Sequence, residues 1–142
     1  MEGTCLCGAI TVRVKDPELF SRRRGHICRC TNCKKTAGSA LATNLIIENE
    51  KFEIIGEENL KKYTDTKTLS GTPLGRYFCS TCGNPIKSVT PLYERKTILK
   101  LGIFPQIPTP EWESFSASRQ KWEVPLEGAV QYKTKSFGDK LE

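Results

Sequence analysis

Apolar and polar residues alternate along several short stretches of the chain, as expected of strands that bury one face. Residues 9–14 show the pattern best, because Ile10, Val12 and Val14 would share a face. Residues 57–63 fit either one helical turn or an exposed strand. The other stretches of strand length are residues 41–47, 52–55 and 97–104. The pattern therefore predicts a mainly β protein.

A proline-rich segment follows the last predicted strand. Pro105, Pro108 and Pro110 have no backbone N–H to donate, so they predict an extended loop. Large aromatic residues after the loop are expected to act as packing anchors. They are Trp112, Phe115 and Trp122.

Length and composition favour one globular domain. The 142 residues are 37% apolar and 27% charged, a mixture typical of a single domain. We assign it to residues 1–136 and treat residues 137–142 as a C-terminal tail, expected to be frayed. No apolar run approaches the roughly 20 residues of a membrane span, and the N-terminal residues do not resemble a secretory signal. We expect a cytoplasmic protein, with the nucleus as the other compartment.

Seven cysteines occur in three tight clusters. The spacings are C-x-C at residues 5–7, C-x-C-x-x-C at residues 28–33 and C-x-x-C at residues 79–82. In a reducing compartment such clusters bind metal more often than they form disulfides. Spacings of one or two residues let neighbouring thiolates converge on one ion, as in tetrahedral zinc sites.

The glycines after two clusters indicate how the cysteines are shared. Gly8 follows Cys7 and Gly83 follows Cys82, whereas lysines follow Cys33. A glycine after the second ligand allows the tight turn of a metal knuckle. We therefore predict one closed four-cysteine site with no free coordination position. Its ligands are Cys5, Cys7, Cys79 and Cys82.

The remaining cysteines form a triad of Cys28, Cys30 and Cys33. Three protein ligands and one exchangeable position are the arrangement of a catalytic zinc. His26, the only histidine, lies two residues before Cys28 and could instead close the site as a fourth ligand. A further alternative is a metal-free triad of redox-active thiols.

Positive charge concentrates around the triad in the sequence. Residues 13–35 hold eight Arg or Lys and two acidic residues, a net charge of +6, equal to that of the whole chain. Such a field would attract an anionic small molecule or a nucleic-acid backbone. A solvated basic surface without a ligand is the alternative.

The ordered motifs resemble a known family, that of glutathione-dependent formaldehyde-activating enzyme, which includes centromere protein V. The resemblance rests on Cys5-Leu6-Cys7-Gly8, residues 28–35, Gly38-Ser39, Ser70-Gly71, residues 76–83 and residues 122–132. It implies a single-domain, Mss4-like antiparallel β fold with zinc knuckles. It also implies two Zn²⁺ sites, a structural one at Cys5, Cys7, Cys79 and Cys82 and a catalytic one at Cys28, Cys30 and Cys33.

Two positions depart from the family pattern. Arg29 stands between the first two triad cysteines, where family members usually have histidine. Asn84 follows Gly83, where they often have serine. The first departure changes the surroundings of the proposed catalytic zinc.

Together with the open triad, the resemblance implies a zinc-dependent carbon–sulfur lyase, or glutathione-adduct enzyme, in which the glutathione sulfur takes the open position of the triad. Its substrate would be a glutathione conjugate or an aldehyde–glutathione adduct. Arg29, Lys34 and Lys35 are candidates for binding the glutathione carboxylates. Ser39 and Arg76 are candidates for lining the pocket.

Two other functions are open. One is a glutathione carrier without catalysis. The other is a zinc-stabilised basic module that binds nucleic acid or cytoskeleton through residues 22–24. Nucleic acid is the weaker partner, because no aromatic residues interleave with these arginines to stack on bases. No membrane partner is expected, and no oligomeric state is indicated.

Overall fold

Eleven strands and one α-helix form the regular structure of residues 1–141, which are the residues that the computed structural model describes. The strands are β1 (Glu2–Thr4), β2 (Thr11–Val14), β3 (His26–Cys28), β4 (Ala42–Glu48), β5 (Phe52–Ile55), β6 (Leu60–Asp65), β7 (Leu74–Cys79), β8 (Pro85–Val89), β9 (Lys96–Lys100), β10 (Trp112–Ser114) and β11 (Val130–Gln131). The helix, α1, spans Thr31–Ala37.

The strands form two sheets. The small sheet has the order β1-β2-β5 and is antiparallel. The large sheet has the order β11-β10-β3-β4-β9-β8-β7-β6. It is antiparallel except at one edge, where β10 runs parallel to both β3 and β11. The prediction of a mainly β, single-domain fold is confirmed.

The predicted strands are found with shifted ends. β5 has the predicted bounds, whereas β2 begins two residues late because residues 5–8 turn back on themselves through an N–H to C=O bond from Gly8 to Cys5. Residues 57–63 contain both expected forms, a 3₁₀ turn at Glu57–Asn59 and then the start of β6. β9 stops at Lys100, and residues 101–103 form another 3₁₀ turn. Residues 105–110 have no regular structure, as the prolines predict.

The hydrophobic core lies between the sheets. Val12 and Val14 of the small sheet cluster with Leu45, Ile47 and Leu99 of the large sheet. Because side chains alternate along a strand, the intervening residues of β4 and β9 face the opposite side of the large sheet. That opposite side carries the candidate site.

The C-terminal part of the chain differs from two expectations. Trp112 stacks on His26, and Phe115 packs against the triad cysteines, so both anchor packing. Trp122 is 75% exposed, so its predicted anchoring role is wrong. The expected fraying is not seen at residues 137–141, because Tyr132 pairs with Lys140 and the Leu141 N–H donates to the carbonyl of Gln131. Residue 142 lies outside the described residues.

Within residues 1–141, none of the helices has the length and apolarity that crossing a bilayer requires.

Candidate functional site

Two groups of cysteines converge in space, with the membership that the sequence predicts. The first is formed by Cys5, Cys7, Cys79 and Cys82, whose sulfurs all lie within 4.8 Å of one another. The Cys5–Cys7 and Cys7–Cys79 sulfur distances are 3.6 and 3.7 Å. A tetrahedron with 2.3 Å zinc–sulfur bonds has edges of about 3.8 Å, so this donor set and its spacing fit zinc.

Backbone turns place these four thiols. Gly8 and Gly83 have φ of 82° and 75°, which the sequence argument from glycine anticipates. Backbone N–H groups of Ile10 and Thr81 donate to the sulfurs of Cys5 and Cys79 over 3.3 and 3.4 Å. Such bonds stabilise thiolates without a charged side chain.

The triad lies at the junction of β3 and α1. Cys28 ends β3, Cys30 caps α1 by accepting a hydrogen bond from the Cys33 N–H at 3.2 Å, and Cys33 lies in the first turn. Their sulfurs lie within 4.8 Å of one another, and all three residues are buried. Hydrogen bonds from the thiols of Cys28 and Cys30 hold the pKa of Cys33 well below its usual range, as Lys100 and Arg76 also do.

His26 is held away from the triad's sulfur group. Its ring stacks on Trp112 with centroids 4.8 Å apart and planes 2° from parallel. Lys100 Nζ donates to Asn44 Oδ1 at 3.1 Å, which leaves Asn44 Nδ2 to face His26 Nε2 at 3.5 Å. Burial lowers the pKa of His26 to about 4, so the ring is neutral at pH 7. Within residues 1–141, the group around Cys28 that could hold a metal ion contains three cysteines and no histidine.

A cavity of about 300 Å³ opens beside the triad, within the size range of small-molecule sites. Its walls carry three cations, Arg76, Lys100 and Lys135, and no Asp or Glu in the described part of the chain. Apolar side chains cover much of the remaining wall. They are Leu69, Leu74, Leu92, Ile98 and Phe115. The cavity therefore suits a ligand that combines negative charge with apolar surface.

Asp65 and Asn32 join the triad to the β6–β7 hairpin. Asp65 Oδ2 accepts from Arg76 Nε at 2.7 Å and from Asn32 Nδ2 at 2.9 Å. Arg76 Nη1 in turn lies 3.9 Å from Cys33 Sγ. Burial opposes ionisation of Asp65, but the bonds from Arg76 and Asn32 hold its pKa below the usual range.

Among the predicted glutathione contacts, the structure brings only Arg76 to the cavity. Ser39 lines a separate depression near Ala37 and Leu41, and Lys34 and Lys35 follow Cys33 on the outer part of α1. Arg29 is 3% exposed and pairs with two carboxylates instead of facing the cavity. Extended backbone alternates its side chains, so Arg29 lies opposite its cysteine neighbours.

The expected positive field around the triad is drawn only partly from the segment 13–35, because two arginines of that segment are held by partners away from the cavity. Arg24 forms a buried ion pair with Asp16 at 2.7 Å. Arg23 donates to the backbone carbonyls of Pro110 and Glu127. The cations beside the triad come from β7, β9 and the C-terminal segment.

Lys100 and Ser88, which line the cavity, are absent from the sequence prediction. Each is a polar residue inside an otherwise strand-like stretch, and Ser88 Oγ has no hydrogen-bond partner within residues 1–141. A lone polar residue in a buried strand is the signal that could have identified them. The register then brings them together, because Ile98 pairs with Ser88 and Asn44 pairs with Lys100.

A buried charge network fixes β3 to the C-terminal segment. Glu113 is fully buried and accepts from the Arg29 guanidinium, while Glu123 accepts from Arg29 Nε at 2.9 Å. Arg119 Nη2 lies 3.5 Å from Glu113, so two guanidinium groups balance two carboxylates. The Leu126 N–H also donates to Glu113, over 2.9 Å.

Glu113→Gln is expected to destabilise the protein by about 3–5 kcal/mol, because it leaves the buried Arg29 with one fewer carboxylate. Burial raises the pKa of Glu113, but its bonds with Arg29, Leu126 and Gln131 outweigh burial and lower it. The stability difference between the wild type and Glu113→Gln should therefore be complete above about pH 4.3, the usual pKa of glutamate in an unfolded chain. It should disappear as the pH falls through the lowered pKa that Glu113 has in the folded protein. Urea unfolding between pH 3 and pH 7 measures it. A loss no larger than that of the exposed Glu2→Gln would contradict the prediction.

Residues 1–119 match the sequence profile of the family described as glutathione-dependent formaldehyde-activating enzyme. A curated protein of Halomonas elongata, whose name proposes the same activity, is 33% identical over 87 residues, which are 61% of this chain and 54% of that protein. The chain thus spans about half the length of this relative. A crystal structure of a Rhodobacter sphaeroides protein superposes with a TM-score of 0.54 at 21% identity, over 75% of this chain and 90% of that one. At that identity the likeness concerns the fold.

Proposed function

Because the chain belongs to the glutathione-dependent formaldehyde-activating enzyme family, we propose that it is a zinc-dependent carbon–sulfur lyase acting on a glutathione adduct. The triad of Cys28, Cys30 and Cys33 would be the catalytic centre. The observation that carries this proposal is a buried three-sulfur site beside a cavity whose walls, within residues 1–141, carry cations and no Asp or Glu. The four-cysteine group is assigned the structural zinc.

Zn²⁺ held by the triad would supply an open position that favours the thiolate form of an incoming thiol. The protein's own side chains would bind the substrate and limit the access of water. Lys100, partly buried, and Lys135, at the exposed rim, would bind the carboxylates of glutathione, which carries net negative charge. Phe115 packs against the triad and limits the access of water to it.

The reaction forms or breaks one carbon–sulfur bond. In the forming direction, the glutathione sulfur adds to an aldehyde carbon, and the proton lost by the thiol is matched by one gained by the carbonyl oxygen. In the lyase direction the same steps run backwards. The thiols, free within residues 1–141, fit a reducing compartment, so the cytoplasm, with the nucleus as the alternative, is the proposed location.

The test compares two ligands that differ in one atom. The zinc-loaded protein is titrated with glutathione and with its serine analogue, γ-glutamyl-seryl-glycine, which keeps both carboxylates and lacks the sulfur. We expect tighter binding of glutathione by calorimetry, because its sulfur is a much better zinc ligand than the hydroxyl of the analogue. Equal affinities would contradict the proposal.

Turnover separates an enzyme from a carrier. NMR exchange spectroscopy measures the rate at which formaldehyde and larger aldehydes exchange with their glutathione adducts. An enzyme raises that rate above the value in buffer, in proportion to its concentration. Binding of glutathione without such an increase would support the carrier.

A further inference from the structure

A guanidinium group contacts one sulfur of the triad and is held there from its other side. Arg76 Nη1 lies 3.9 Å from Cys33 Sγ, while Arg76 Nε donates to Asp65 Oδ2 at 2.7 Å. Both Arg76 and Asp65 are buried. Because the carboxylate holds the Nε edge of the planar group, the Nη1 direction is fixed.

Asp65 is itself fixed by two further bonds. Asn32 Nδ2 donates to Asp65 Oδ2 at 2.9 Å, and the Lys67 N–H donates to Oδ1 at 3.1 Å. Asn32 Nδ2 also donates to the carbonyl of Lys67 at 2.8 Å. Since Asn32 precedes Cys33 on α1, the hairpin holds the triad through two adjacent residues. The position of Arg76 relative to the sulfur is therefore set by several bonds.

The two cysteine groups differ in the hydrogen-bond donors that reach their sulfurs. Sulfurs of the four-cysteine group accept hydrogen bonds from backbone N–H groups, such as those of Ile10 and Thr81. Among residues 1–141, Arg76 is the one side chain with a nitrogen that donates to a cysteine sulfur. A charged donor draws more electron density from a thiolate than a neutral amide does.

We propose that Arg76, oriented by Asp65, is a positioning residue that weakens electron donation from Cys33 and so lets the triad's metal accept an external thiolate. The inference rests on the proposed function. Three thiolates already leave a zinc site with a net charge of −1, and a fourth would bring it to −2. The guanidinium, although paired with Asp65 at its Nε edge, places its Nη1 3.9 Å from Cys33 Sγ, partly offsets the thiolate charge there and thereby favours entry of the fourth sulfur.

The competing interpretation is that Arg76 and Asp65 only stabilise the hairpin. The chain contains a matched pair to test it. Arg24 and Asp16 are also 2.7 Å apart and nearly as buried, with side chains 8% exposed against 10% and 8% for Arg76 and Asp65, but Arg24 donates to no cysteine sulfur in residues 1–141. Removing Arg24 should therefore reproduce the loss of a buried ion pair without the effect on the sulfur.

The experiment uses cadmium-substituted protein and cadmium NMR, because each cysteine group then gives its own resonance. Arg76→Met is expected to shift the triad resonance and leave that of the four-cysteine group in place. It should also raise the dissociation constant of glutathione about tenfold, as the loss of partners around metal ligands commonly does. Asp65→Asn, which weakens the bond that turns Arg76 toward Cys33, should have an effect of the same sign where orientation decides the contact, and Arg76→Lys should restore part of the affinity. Arg24→Met should change neither readout.

The possible outcomes test the role of Arg76 and the proposed function separately. A triad resonance that moves no more in Arg76→Met than in Arg24→Met would overturn the inference. So would a shifted resonance with unchanged glutathione affinity. If the wild-type triad resonance ignores glutathione, the proposed function fails, and the ligand-free shift still tests the Arg76 contact by itself. Should Arg76→Met not fold, which the second resonance reports directly, Arg76→Lys and Asp65→Asn carry the same comparison.

Discussion

Cys30→Ser is expected to give a folded protein that binds one zinc where the wild type binds two and that has lost glutathione-dependent turnover. Serine replaces a soft sulfur ligand with a hydroxyl that binds zinc poorly, so the triad keeps two good ligands. Native mass spectrometry counts the zinc ions, and NMR exchange measures turnover.

Position 30 is chosen because serine can keep the structural role of the cysteine. Cys30 Sγ accepts the Cys33 N–H at the start of α1, and serine is among the best residues for that capping position. The metal-free fold should therefore lose less stability in Cys30→Ser than in Cys30→Ala, where removal of a cap costs about 0.5–2 kcal/mol. Two zinc ions in Cys30→Ser, or full turnover with one, would rule out the triad as the catalytic centre.

Local patterns in the sequence predict the grouping of the cysteines well. Ligands one or two residues apart converge whatever the rest of the chain does, and glycine after a ligand marks a turn, as Gly8 and Gly83 show. The strand Phe52–Ile55 was predictable for a similar reason, because short-range apolar pattern and its polar flanks define it. The helix α1 was missed because its seven residues have no apolar periodicity, and Cys30 and Gly38 define its ends.

The remainder of the site depends on strand register, which no local pattern specifies. Lys100 reaches the cavity because β4 pairs with β9, and Arg76 reaches Cys33 because Asp65 holds it from β6. Arg29, in contrast, was predicted to be a site residue but does not face the cavity. Its place between two ligands suggested a site residue, but alternation along extended backbone directs it to Glu113 on the other side. Proximity in sequence predicts a metal ligand better than it predicts the residues around it.

Cys79→Ser, in contrast with Cys30→Ser, is expected to unfold much of the protein. Cys79 is fully buried at the end of β7, and its group joins residues 5–7 to residues 79–82 across more than half of the chain. A structural zinc contributes its binding free energy to folding, on the order of 10 kcal/mol in small zinc domains, against a total stability of about 5–15 kcal/mol. Losing most of that contribution leaves little net stability.

The measurement is thermal unfolding by circular dichroism with equal zinc loading. We expect Cys79→Ser to be unfolded at 25 °C or to melt at least about 10 °C below Cys30→Ser, since 1 kcal/mol shifts the melting temperature of a domain this size by roughly 2–4 °C. The pair is matched, because each variant removes one sulfur from one group. If both melt together, the cluster of Ile10, Val12 and Val14 with the large sheet holds the N-terminal segment without the metal, and the closed site loses its structural assignment. If only Cys79→Ser collapses, the four-cysteine group maintains the fold and the triad is not needed for it, as a site reserved for a reaction would predict.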